Sequence, residues 1–204
     1  GETPGVSYGD IAERYYTVGQ YMKEVKDVSK AMAAAGDSYI CDEYLNAMGS
    51  PEAESVYVLH DLNNDGIEEF FIGLKFNYDI PYYVIYDVYT WKDGRAYQLM
   101  RGIGYRNGSC KICENGVIED NYSGSAWDGQ TLYHILPEGG IELETIDSVS
   151  SRRDGTVQSY YHWNELIDEN SLQTILEQYQ PESVTYVDCN RETIEQLRLS
   201  GIRK

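Results

Sequence analysis

The stretch Asp61-Leu62-Asn63-Asn64-Asp65-Gly66-Ile67-Glu68-Glu69 holds the residues whose types and spacing bear most directly on chemistry. Counting from Asp61, oxygen-bearing side chains stand at positions 1, 3, 5 and 9, Gly66 at position 6 and the Ile67 carbonyl at position 7. A hard cation such as calcium takes six to eight oxygens at about 2.3–2.6 Å, and alternate residues of a tight loop can aim that many at one point. An ordinary hairpin turn accounts for Asp65 and Gly66. It leaves Asp61, Asn63 and Glu69 at these offsets unexplained.

A helix-loop-helix calcium site would carry a bidentate Glu at position 12, where this chain has Ile72, and both flanks read as strands. The loop instead resembles the strand-loop-strand form of the D-x-[DN]-x-D-G-x-x-[DE] motif found in integrin-type FG-GAP repeats and related extracellular modules. That resemblance covers about nine residues and implies calcium held by Asp61, Asn63, Asp65, the Ile67 carbonyl and Glu69. In that family the position-9 carboxylate is a ligand, and here Glu69 is expected to point away from the buried face of its strand. More loosely, an amphipathic N-terminal helix, a strand running into the loop, and Tyr86-Asp-Val-Tyr-Thr-Trp-Lys-Asp-Gly-Arg95 are similar to a broad group of secreted or lipid-anchored bacterial proteins. This implies a compartment and a metal, and no reaction. Carboxylates gathered in an empty loop repel each other, so occupancy is expected to stabilise the fold. A ligand at ten to a hundred times its dissociation constant contributes roughly 1.4–2.7 kcal/mol.

Other chemistry is sparse. Cys110-Lys-Ile-Cys113 invites a zinc or a redox reading, but Cys41 and Cys189 stand alone and the pair lies between the hairpin signals Asn107-Gly108 and Asn115-Gly116. Buried thiols or a structural disulfide are expected instead. His60, His134 and His162 fall on separate strands, and no nucleophile motif or phosphate-binding loop occurs. Among 34 acidic residues no catalytic pair can be selected. Tyrosine is abundant, with 20 residues against 3 Phe and 3 Trp. A ring with an apolar body and a polar tip suits both sheet packing and ligand recognition. Tyr82, Tyr83, Tyr86, Tyr89 and Trp91 are the candidates for a ligand-binding platform, with Tyr78 beside them.

The 204 residues include 34 acidic and 16 basic ones, a net charge of -18. This argues against nucleic acid and anionic membranes, which need a cationic face. Apolar content of 42% is too high for a disordered acidic tail. No apolar run is long enough to span a bilayer. The start at Gly1 fits a chain whose secretory or lipoprotein leader has been removed, and an extracellular or surface-anchored location is expected.

The elements around the loop follow from periodicity. From Asp10, residues Ile11, Tyr15, Val18, Met22, Val25 and Met32 predict one amphipathic helix stopping at Gly36. A second is expected from Asp37 to Gly49. From Ser55, β-branched and aromatic runs alternate with Asp65-Gly66, Asp93-Gly94, Asn107-Gly108, Asn115-Gly116, Asp128-Gly129, Gly139-Gly140 and Asp154-Gly155, the pattern of a meander. Phe70, Ile72, Leu74 and Phe76 predict a strand with one buried face, and 82–89 a central strand. Helices return at Ser171–Tyr179 and Arg191–Ser200. The expected class is α+β: a central antiparallel meander sheet flanked by the N-terminal helix and short C-terminal helices, in one domain. Its parts are helical at about 8–49, β-rich at about 55–163 and helical at about 164–200.

The functional expectation is a calcium-stabilised binding module outside the cell or on its surface, taking a protein or glycan. The alternatives are a calcium-dependent extracellular hydrolase using carboxylates and a spacer domain with no ligand.

Overall fold

Residues 7–35, 39–102, 110–136 and 140–200 are described by a computed structural model. The fold is α+β, and the meander divides into two antiparallel sheets. The first is built from β1 (Ala53–His60), β2 (Glu69–Phe76), β3 (Tyr82–Lys92) and β4 (Arg95–Met100). The short β11 (Val187–Asp188) returns from the C-terminal region to pair with the outer edge of β1. The second contains β5 (Cys110–Cys113), β6 (Val117–Ser123), β7 (Trp127–Ile135), β8 (Leu143–Asp154), β9 (Val157–His162) and β10 (Glu165–Ile167), each paired with its neighbour in sequence.

Asp93-Gly94 and Asn115-Gly116 carry the paired positive φ angles of tight hairpin turns, at 49° and 78° and at 61° and 72°. Trp163-Asn164 makes the same kind of turn, at 49° and 70°, without a glycine. Asp128-Gly129, expected as a turn, lies inside β7. Asn107-Gly108 and Gly139 fall outside the described residues.

The helices cover one face of the first sheet. Helix α1 (Tyr8–Val25) starts with a capping box, in which Ser7 and Asp10 satisfy each other's backbone N–H groups. The expected single helix to Gly36 is broken: Lys26 adopts the left-handed conformation at φ 49°, and Asp27 begins a new helix, α2 (Val28–Ala35), by accepting from the Lys30 N–H. Helix α3 (Asp42–Met48) is shorter than expected and uses Cys41 Sγ as its cap, while Asp37 lies outside the described residues. Helix α4 (Glu169–Leu176) is capped by Asp168. Helix α5 (Arg191–Ser200) packs on α1, and its Arg198 pairs with Asp10 and Glu13. None of the described helices is long and apolar enough to cross a membrane.

Two hydrophobic clusters explain the layering. Phe70, Ile72 and Leu74 of β2 join Ile11, Tyr15, Leu45 and Ile194 in a core between the helices and the first sheet. Phe71, on the other face of β2, joins Val58, Ile85 and Val88 against Ile112, Ile118 and Ile135 of the second sheet. The expected one-sided strand is therefore buried on both faces, because a second sheet covers what would otherwise meet water.

A bulge in β3 interrupts the alternation. The register with β2 slips between Ile72 and Gly73, so Ile72 faces Asp87 and Gly73 faces Ile85, leaving Tyr86 unpaired. Tyr86 joins the helix-side core, Val88 joins the inter-sheet core, and Asp87 bonds to Tyr15 of α1. Gly73 permits the approach: a Cβ there would lie 2.1 Å from the Val84 carbonyl oxygen.

Candidate metal loop, buried carboxylates and aromatic surfaces

The acidic loop joins β1 to β2. Asp61 accepts from the N–H groups of Asp65 (3.2 Å) and Gly66 (2.9 Å), and Asp65 accepts from Ile67 N–H (2.8 Å). Asn63 accepts from Asp65 N–H (3.2 Å) and donates its amide to Asp65 Oδ2 (3.0 Å). Asn64 at φ 56° and Gly66 at φ 86° supply the tight curvature. The side chains of Asp61, Asn63 and Asp65 thus turn toward their own loop, the winding that a cation loop requires.

Glu69 departs from expectation. It is fully buried, and it accepts from Leu62 N–H at 2.9 Å and from the Thr90 hydroxyl at 2.9 Å. The physical reason is again the second sheet, which covers the face of β2 that was expected to be open. Burial raises its pKa to about 7, and the nearby charges of Asp65 and Asp61 push in the same direction. Among the described residues no three His, Cys, Asp or Glu side chains gather as a metal cluster. The donor set still fits a hard cation in type: two aspartates, an asparagine and a backbone carbonyl from one loop, with a buried glutamate that neighbouring acids destabilise in its charged form. Beside the loop lies a cleft of about 540 Å³ lined by Asn63, Asp65, Thr90, Trp91 and Lys92.

A second buried carboxylate is absent from the sequence reading. Asp87 is inaccessible to solvent; Tyr15 donates to it at 2.5 Å, and the N–H groups of Gly102 (2.9 Å) and Cys41 (3.4 Å) complete its shell. With the Tyr15 proton given to Asp87, the Tyr89 hydroxyl donates to Tyr15 at 2.7 Å, and Gln98 donates to Tyr89 at 3.0 Å. Burial raises Asp87 to about 6, against the opposing effect of these donors, and drives Tyr15 and Tyr89 well above the usual phenol range. The strand alternation hid this network, since only the bulge turns Asp87 toward α1.

The five ring candidates do not form one platform. Tyr86 (6% exposed) and Tyr89 (0%) are packed into the helix-side core, which corrects their assignment to an open surface. Trp91 packs edge-on against Tyr8 at 5.9 Å and lines the cleft beside the loop. Tyr83 stacks on Tyr186 at 4.0 Å. Tyr82 alone joins an open array: Phe76, Tyr78 and Tyr82 stack nearly parallel, with centroids 4.8–6.2 Å apart, at the turn between β2 and β3. Tyr78 and Tyr82 are 49% and 47% exposed, and Ile80 at the turn is 84% exposed.

The remaining candidates resolve plainly. All four cysteines are free and buried, so the structural disulfide is not formed, and Cys110 and Cys113 belong to different hydrophobic clusters. Burial pushes the Cys113 and Cys189 thiols up to about 12. His162 pairs with Asp147 at 2.7 Å, and Asp147 also accepts from Tyr179. His60 stands in the first sheet while His134 and His162 stand in the second. In comparisons with known proteins, no family profile, no curated protein and no solved structure matches the chain.

Proposed function

We propose that this chain is a calcium-stabilised binding module, acting outside the cell or at its surface, whose ligand is a protein or a glycan. The metal half of the reading is supported by the wound loop, in which Asp61, Asn63 and Asp65 are organised by backbone N–H groups and Asn64 and Gly66 take positive φ. Calcium bound by Asp61, Asn63, Asp65, the Ile67 carbonyl and Glu69 supplies positive charge that offsets the mutual repulsion of three carboxylates.

One observation carries the binding half: the rings of Tyr78 and Tyr82, stacked on buried Phe76, stand half open to solvent beside exposed Ile80. Rigid aromatic rings offer contact area at small entropic cost, which suits recognition. The loop and this tip lie at opposite ends of β2, about 25 Å apart along eight extended residues. Calcium here acts on the fold, and the ligand meets the rings alone.

The hydrolase reading ranks second. The cleft beside the loop is lined by one carboxylate, Asp65, where hydrolysis of a glycosidic bond uses two.

The test has two arms. Calorimetry with calcium chloride, and thermal unfolding with and without chelator, read the metal; no heat and an unchanged midpoint end that half. A glycan array and a screen of extracellular proteins, run with wild type and the Tyr78→Ala/Tyr82→Ala double variant, read the tip. A ligand retained equally by both ends the assignment to this surface.

A further inference from the structure

The far ends of β6 to β9 carry a second aromatic surface, which shares no residue with the loop or the hairpin tip. Tyr122 pairs with Gly129, Gly129 with Ser150, Ser150 with Tyr161, and Trp127 with Arg152. Cross-strand partners and residues two apart share a face of a sheet. Tyr122, Trp127, Arg152 and Tyr161 therefore stand together around Gly129. The contacts agree. A Cβ on Gly129 would lie 2.4 Å from the Tyr122 ring, so that ring lies over the glycine. Trp127 and Tyr161 are 5.8 Å apart, and the Arg152 guanidinium sits 5.5 Å from the Trp127 ring centroid. Trp127 and Tyr122 are each 41% exposed.

Arg152 and Arg153 stand at these strand ends with Asp128 and Asp154, so the corner does not share the acidic excess of the chain. Acidic residues outnumber basic ones 34 to 16, yet among the described residues neither Arg152 nor its neighbour Arg153 forms an ion pair. Arg152 is held against an aromatic ring instead. Ring faces accept the apolar C–H face of a pyranose, and the planar guanidinium fork matches a carboxylate through two parallel hydrogen bonds. A densely sulfated chain would meet the repulsion of the -18 net charge at every sugar. A uronate chain carries at most one carboxylate per sugar, so it meets less of that repulsion than a sulfated chain and still presents a planar anion to the arginine.

We propose that this face binds an unsulfated, uronic-acid-containing sugar chain, with pyranose rings stacked on Trp127 and Tyr122 and a uronate carboxylate held by Arg152. The site stands independently of the hairpin tip, and its test keeps the two apart.

The full chain is titrated by calorimetry and tryptophan fluorescence with hyaluronan, oligogalacturonate and oligoalginate octasaccharides, and with chitohexaose as neutral and heparin octasaccharide as sulfated probes. At least one uronate probe is expected to bind about tenfold tighter than chitohexaose and heparin, with Trp127→Ala and Arg152→Ala each weakening it by about tenfold. Trp127→Phe keeps a ring and retains binding, Gly129→Ala displaces Tyr122 and weakens it, and Tyr78→Ala/Tyr82→Ala leaves it unchanged. Circular dichroism of each variant matches wild type. Three outcomes overturn the proposal: no uronate probe binding at millimolar concentration, equal or tighter binding of chitohexaose or heparin, or binding that Trp127→Ala and Arg152→Ala leave within about twofold.

Discussion

Glu69 and Asp87 are both buried carboxylates in the first sheet, and the contrast between them separates two ways of keeping a charge inside a protein. Asp87 is surrounded by neutral donors: the Tyr15 hydroxyl and the backbone N–H groups of Cys41 and Gly102. Glu69 also has two donors, Leu62 N–H and the Thr90 hydroxyl, but its neighbours Asp61 and Asp65 are acids. Burial raises both, Asp87 to about 6 and Glu69 to about 7. Hydrogen bonds alone serve the first, whereas the second would gain from the cation proposed for its loop. Asp87 is a structural pin between α1, the 39–41 segment and β3, and Glu69 is the inner wall of a candidate metal loop.

The sharpest way to break this contrast is to remove the pin. Asp87→Leu leaves the Tyr15 hydroxyl and two backbone N–H groups without their acceptor, and is expected to cost about 3–5 kcal/mol in denaturant unfolding. A loss under 1 kcal/mol would show that the network contributes little.

Acidity comes next. Both groups have folded-state pKa values above their unfolded ones of 3.8 and 4.5, so the stability they contribute is fully present below about pH 4 and is lost as pH rises through about 6 and 7. Each accounts for about 3 kcal/mol across that window. Thermal midpoints measured from pH 4 to 8 should carry this downward component, and Asp87→Asn should remove the part centred lower. Calcium at saturating concentration should flatten the Glu69 part alone, because the metal favours the ionised carboxylate.

At fixed neutral pH, calcium at ten to a hundred times its dissociation constant is expected to add roughly 1.4–2.7 kcal/mol. Asp61→Ala/Asp65→Ala should abolish that gain while leaving the Asp87 component of the pH profile in place. A calcium response that survives both substitutions would move the metal elsewhere. The smallest effect is expected at Gly66, where a Cβ meets nothing within 4 Å but φ is 86°. Gly66→Ala should cost about 1 kcal/mol through backbone strain alone, and weaken calcium without touching Asp87.

What was legible in the sequence was local. The offsets of Asp61, Asn63 and Asp65 specify the winding of the loop, Asp93-Gly94 and Asn115-Gly116 specify their turns, and Ile194 and Leu197 specify the buried stripe of α5. What depended on distant partners was hidden. Phe71 and Glu69 read as the outer face of β2 until a second sheet covers them. Tyr86 and Tyr89 read as a platform until α1 and α3 bury them. The bulge that aims Asp87 at Tyr15 leaves no trace in the run Tyr82–Tyr89, which is apolar on both faces in any register. Lys26 broke the first helix although neither glycine nor proline marks the spot, and Asp128-Gly129 extended a strand because Tyr122 covers the glycine from across the sheet.

The four free thiols give this protein an internal clock of its own opening. Cys41 and Cys189 lie under the helices, while Cys110 and Cys113 lie on β5, at the edge of the second sheet, and burial holds them as unreactive thiols. A thiol-specific dye can therefore react only with molecules in which a region has come apart. Mass spectrometry of the labelled cysteines would report whether the edge strand or the helical layer opens first, and calcium should slow only the pair whose opening unwinds the loop.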